Sequence, residues 1–125
     1  MNIHLRRLPD SELEVMQAIW LYTPPVSRND IEKALYETHP IALTTLLTLL
    51  TRLSEKGFIS IEKEGRRSYY SPNVTKEEYL ATQSKSFFEK LCGSNVSTFA
   101  SALCNSGLSR DELAQLRDLL ERDLL

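Results

Sequence analysis

From Leu43 to Lys56, leucine and threonine divide a helix between them. On a 3.6-residue wheel Leu43, Leu46, Leu47, Leu49, Leu50 and Leu53 share one arc, with Leu47 at its border. Thr44, Thr45, Thr48, Thr51, Arg52, Glu55 and Lys56 share the other. An apolar stripe of that width belongs to a helix docked on a core. The polar face is the unusual one, because solvated helix faces favour Glu, Lys and Gln over β-branched threonine. A single threonine there would be merely tolerated. Four on one arc, closed by Arg52, point to a face kept for contact.

The flanking segments say what kind of contact. Pro9-Asp10-Ser11 opens a first helix, with Asp or Ser available as its cap, and Leu13, Met16, Ile19 and Trp20 repeat at helical spacing. Thr23-Pro24-Pro25 ends it. Ser27 caps a second helix with Ile31, Ala34 and Leu35 inward, and His39-Pro40 closes that one. After the leucine/threonine helix, Gly57 supplies a left-handed terminator. The period then changes: Phe58–Lys63 reads as a strand, Glu64–Arg67 as a turn, and Ser68–Pro72 as the return strand. Three short helices followed at once by a hairpin with a basic tip is the order of a winged helix-turn-helix.

The remainder is helical. Lys76–Cys92 carries Tyr79, Leu80, Phe87, Phe88 and Leu91, too heavy an apolar load for an exposed single helix. Gly93-Ser94 breaks it, and Val96, Phe99, Ala100, Leu103 and Cys104 form a second stripe. Ser109–Glu112 is a capping box, with Leu108 as a staple partner for Leu113. Leu113, Leu116, Leu120 and Leu124 then make a seam. Helices this short need a partner surface, and a second copy of the same tail is the economical one. The expected architecture is mainly α with a small β-hairpin: a winged helix-turn-helix head over 1–74 that binds DNA, and a three-helix dimerisation region over 75–125.

Charge does not advertise nucleic acid. The 125 residues carry a formal net charge of −2, and up to Thr75 nine Lys/Arg stand against nine Asp/Glu. Only a local cluster is basic: His4, Arg6, Arg7, Arg52, Lys56, Lys63, Arg66 and Arg67. So small a footprint suits a module that gains affinity by pairing with its own copy. Two cysteines are too few for a disulfide framework, nothing at the N-terminus resembles a secretory signal, and no apolar run approaches a membrane span. The expected compartment is the cytoplasm, without membrane insertion.

With its elements in order, the chain resembles the BlaI/MecI penicillinase-repressor family from Leu8 to about Glu121. The carrying residues are Leu13–Trp20 in the first helix, then Thr45, Thr48, Arg52 and Leu53, then Lys63–Asn73 in the hairpin. The resemblance implies a homodimeric repressor that binds palindromic operators through winged-helix heads. It also implies inactivation by proteolysis when a membrane sensor protease, or a protease downstream of it, responds to a β-lactam. Better-known members are cut at an Asn-Phe bond; Ala102-Leu103 stands at that position here. They also carry a lysine where Thr44 stands, which implies a phosphate contact that this chain lacks. A copper-responsive branch binds metal through paired Cys-x-Cys motifs near the C-terminus; this tail has none and ends Asp123-Leu124-Leu125.

The DNA-binding residues are therefore expected to be Thr44, Thr45, Thr48, Arg52, Lys56, Arg66 and Arg67. Threonine suits the task because its hydroxyl bonds phosphates or base edges and its methyl packs on that of thymine. Arg52 is left open between guanine and phosphate, and Arg66 and Arg67 between phosphates and the minor groove. His4, Arg6 and Arg7 form either an arm or a frayed terminus. The dimer is expected from Tyr79, Leu80, Phe87, Phe88, Leu91, Val96, Phe99, Leu103, Leu113, Leu116 and Leu120. Trp20 is assigned to the core, and one of Tyr69 and Tyr70 faces inward. No nucleophile–base pair, phosphate loop or metal constellation is visible, so neither catalysis nor a cofactor is expected. Two rival readings stand beside the repressor: a winged-helix protein-interaction module without DNA, and a thiol- or metal-responsive regulator using Cys92 and Cys104.

Overall fold

The computed structural model describes residues 6–124. His4, and with it part of the expected arm, lies outside them, as does the side chain of Leu124. The element order is α1 (Asp10–Trp20), β1 (Val26–Ser27), α2 (Arg28–Thr38), α3 (Leu43–Glu55), β2 (Ile59–Glu64), β3 (Arg67–Pro72), α4 (Lys76–Ser86), a π-helical turn (Phe87–Leu91), α5 (Val96–Cys104) and α6 (Arg110–Leu124). The chain divides into two compact units, Met1–Gln83 and Ser84–Leu125.

The first unit is a winged helix. α1, α2 and α3 bring Val15, Met16, Ile19, Ile31, Leu35, Leu46, Leu50 and Leu53 into one core with Phe58, Ile59 and Tyr70 of the hairpin region. Trp20 packs at its edge, and its indole N–H donates to the Val74 carbonyl at 2.9 Å. The expected side-chain cap of α1 does not form. Pro9 holds the N-cap position, and its carbonyl accepts the Leu13 N–H at 2.9 Å. Ser27 does cap α2, its hydroxyl oxygen accepting the Asp30 N–H at 3.2 Å.

The sheet has three antiparallel strands in the order β1-β3-β2. β1 was not legible in the sequence: Val26 pairs with Tyr70 and Ser27 with Tyr69. The hairpin is tighter than expected. Glu64 pairs with Arg67, so Gly65-Arg66 alone makes the loop. Gly65 sits at φ +65°, a left-handed conformation that a side chain would resist in so short a loop. Tyr70 is buried and Tyr69 half-exposed, as strand alternation requires.

The first unit continues past the boundary expected at 74, because the chain keeps feeding its core. Val74 is buried, and Thr75 and Glu78 form a capping box that starts α4: each backbone N–H donates to the other's side chain at 3.0 Å. Tyr79, expected in the dimerisation region, is instead part of the head. Its ring lies against Trp20 and Phe58, and its hydroxyl oxygen accepts the Leu8 N–H at 2.8 Å.

The second unit is thinner. The π-helical turn and α5 place the rings of Phe87 and Phe88 on Phe99, with centroids 5.8 and 5.4 Å apart. Asn95 caps α5 through the Thr98 N–H, and the expected Ser109–Glu112 capping box starts α6. Among its described residues only Cys92 is buried.

Candidate nucleic-acid interface

α3 is held rigidly at the end that leads into the hairpin. Gly57, at φ +82°, sends its N–H to the Ser54 carbonyl at 3.0 Å, and Phe58 sends its own to Leu53 at 2.9 Å. That is a Schellman termination, and the buried Leu53 and Phe58 supply its apolar contact. The inward stripe is narrower than the wheel suggests. Leu46, Leu49, Leu50 and Leu53 are buried, whereas Leu43 is 44% and Leu47 39% exposed. Leu47 borders the outward face formed by Thr44, Thr45, Thr48, Thr51 and Arg52, all exposed, while Leu43 lies on the flank toward α2, lining a cleft with Tyr36, Pro40 and Ile41. The physical reason is that α1 and the hairpin cover only one side of so short a helix.

Two of the threonines have committed their protons. The Thr48 hydroxyl donates to the Thr44 carbonyl at 3.0 Å, and that of Thr51 to the Leu47 carbonyl at 2.9 Å. Such i−4 bonds occupy the donor and leave the oxygen as an acceptor only.

The wing supplies the positive charge. Arg66 occupies the loop and Arg67 opens β3, and both are exposed. With Ser68 they face Ser27, Arg28 and Asn29 across a cleft of about 200 Å³. Arg28 is the residue that sequence reasoning missed. It stands at the first position of α2, where the helix dipole favours a carboxylate, and its own Glu32 balances it at 3.0 Å. A cation at that unfavourable position was the available signal. Its neighbours could not be read, because they depend on the β1–β3 pairing. Arg28, Arg66 and Arg67 thus line one cleft at the start of α2, a candidate surface for anions.

Lys56 has a partner within the head. Its ammonium donates to Oε1 of Glu12 at 2.6 Å, and the Glu12 side chain is only 3% exposed. The Lys56 ammonium therefore has a structural partner, and its 42% exposed side chain keeps two further donors toward solvent.

The other expected sites lie in different surroundings. Leu80, Phe87, Leu91, Val96 and Leu120 are exposed, together with Leu108 and Leu119, and Phe88, Phe99, Leu103, Leu113 and Leu116 are half-buried. Ala102 and Leu103 are half-buried inside α5. Cys92 is buried and Cys104 exposed, both as free thiols. Among the described residues no group of three His, Cys, Asp or Glu side chains could hold a metal ion, and no helix is long and apolar enough to cross a membrane.

Comparison with known proteins agrees with this geometry. The solved DNA-binding domain of the repressor BlaI superposes with a TM-score of 0.53 at 35% identity, covering 62% of this chain and 94% of that one. The Bacillus licheniformis BlaI monomer in complex with the blaP half-operator gives a TM-score of 0.51 at 36% identity, over 60% of this chain and 90% of that one. Over full length, the penicillinase repressor of Bacillus licheniformis is 33% identical across 116 residues, 92% of this chain and 90% of the relative. The methicillin resistance regulatory protein MecI of Staphylococcus aureus is 30% identical across 116 residues, 92% of this chain and 94% of the relative. The penicillinase repressor family model matches residues 8–122. With that span and these relatives, the chain belongs to the penicillinase repressor family, whose members are repressors and not enzymes.

Proposed function

We propose that this protein is a cytoplasmic, homodimeric transcriptional repressor that occupies a palindromic operator of β-lactam-resistance or related genes. The observation that carries the reading is the pairing of an exposed α3 face with a three-arginine cleft, on the fold of a domain solved with a half-operator. α3 enters the major groove with Thr44, Thr45, Thr48 and Arg52, while Arg66, Arg67 and the newly found Arg28 hold the flanking phosphates. The exposed leucines and valine of the tail join two copies, so two weakly basic heads act at a fixed spacing.

Replacing Arg52 by alanine weakens operator binding by about 1–3 kcal/mol while leaving the dimer intact. A salt-controlled titration checks it, and unchanged affinity removes Arg52 from the interface. The same titration tests the rival protein-interaction module, because phosphate contacts release counterions and impose a steep salt slope, and a flat slope favours the rival.

Inactivation follows from cutting the tail at Ala102–Leu103, which separates α6 from the heads. The bond lies within a helix and is half-buried, so α5 must unwind to enter a protease. Incubation with the host's activated sensor protease, or the protease it triggers, yields a fragment ending at Ala102 by mass spectrometry. An intact tail counts directly against this route.

A further inference from the structure

We infer that α3 reads its operator chiefly through the 5-methyl groups of thymine, by an apolar strip centred on Leu47. The inference rests on the DNA-binding reading above and deepens it.

Leu47, 39% exposed, borders the threonine face of α3, and Leu43, 44% exposed, lies one turn before it on the flank toward α2. Thr51 follows a turn after Leu47, and Thr48 adjoins it. A partner approaching Thr48 or Thr51 finds no hydroxyl proton to accept, since both are bonded to carbonyls one turn back. What these side chains still offer is a methyl group and an acceptor oxygen.

The major-groove edge then decides what fits. Guanine presents only acceptors there, as do the N7 of adenine and the O4 of thymine, and each needs a donor. The only apolar group on any edge is the thymine C5 methyl. A strip of Leu47 and the Thr48 and Thr51 methyls, flanked by Leu43, therefore matches thymine and is indifferent to the guanine acceptors. Arg52 is the one exposed side chain on this face with donors in number. Glu55, exposed at the last position of α3, would repel phosphates and so marks the limit of a contact that runs from the start of the helix to Arg52.

The experiment selects duplexes from a random pool with the full chain, then replaces each thymine of the recovered site singly by deoxyuridine. Uracil keeps the base pair and every hydrogen-bonding group, and loses only the methyl. At one or more positions per half-site, binding weakens about fourfold, the worth of burying one methyl-sized group. Leu47→Ala removes that sensitivity. Its fold is secure because the site is exposed and alanine is the better helix former. Arg52→Ala lowers the affinity for thymine and uracil duplexes alike and keeps their ratio. Uracil without effect at every position overturns the inference, and so does full sensitivity retained by Leu47→Ala. Recovery of no duplex at all overturns the DNA-binding reading itself and this inference with it. Recovery of a uracil-insensitive site overturns only the methyl readout.

Discussion

The two units of this chain spend similar side chains to opposite effect. The head closes over Val15, Met16, Ile19, Ile31 and Leu53, none of which retains measurable exposure. The tail leaves Leu91 76% and Val96 71% exposed, with Leu119 and Leu120 also in the open. Both units are helical, and both use side-chain caps, at α2 in the head and at α5 and α6 in the tail. The difference lies in what covers the apolar face. In the head the hairpin and the start of α4 complete the enclosure, whereas the tail's own residues leave its leucines uncovered. Large exposed aliphatic faces of this kind mark association surfaces. The comparison teaches that the head encloses its own core, whereas the tail leaves open the kind of aliphatic surface that the proposed second copy would cover.

The largest expected effect attacks that open surface. Val96→Asp combined with Leu120→Asp puts two carboxylates into the proposed seam and separates the protomers. Operator affinity then falls by about 10²–10⁴-fold through loss of the tethered second head, with thermal unfolding of the head unchanged. Sedimentation velocity and a DNA titration on one sample check both halves. A variant that stays dimeric and binds as before moves the interface elsewhere.

A second, smaller effect tests the self-sufficiency of the head. Lys56→Ala strands the Glu12 carboxylate, which is buried and accepts from Lys56 at 2.6 Å. The loss is about 2 kcal/mol, below the usual cost of breaking a buried pair because the lysine side is partly solvated. Glu12→Gln in the Lys56→Ala background restores much of it, since a neutral amide is cheaper to bury than an unpaired charge. Urea denaturation reads both variants. If unfolding stays the same while operator affinity drops, Lys56 acts at the DNA surface.

This pair also shows where reading the sequence stops. α3, the hairpin and the Ser27 and Ser109 caps were legible because each is signalled within a turn or two of chain. The structural partner of Lys56 was missed because it lies 44 positions away, and nothing local distinguishes this lysine from a purely phosphate-seeking one. Tyr79 was misplaced because its neighbours Leu80 and Phe87 belong to an apolar run, while its own contacts are with Leu8, Trp20 and Phe58. Two-residue β1 offers no periodicity, so the cleft that brings Arg28 beside Arg66 and Arg67 was hidden with it. Leu43 was placed inward, and Leu47 at the border, by an arc drawn wider than the core that exists. Charge balance misled in the same way: it averages over a chain whose cations matter only where the fold gathers them.

The smallest effect sits where α4 begins. Glu78 is fully solvated, yet its carboxylate accepts the Thr75 N–H while its own N–H is held by the Thr75 hydroxyl. The backbone hydrogen bond first, and the side-chain bond second, favour the ionised form and hold its pKa below the ordinary glutamate value. A depressed carboxylate contributes stability that is present above its unfolded pKa and lost as the pH falls through the folded one. The start of α4 therefore frays on acidification, below the range in which free glutamates titrate. Carboxyl-resolved NMR checks the position of the midpoint, and Thr75→Ala returns it toward the ordinary value by removing the reciprocal bond. A midpoint at the ordinary glutamate value in the unsubstituted chain would mean the box is not closed in solution. The core of the head would then have to hold α4 through Tyr79 alone, and its tie to the hairpin would be weaker than the enclosure implies.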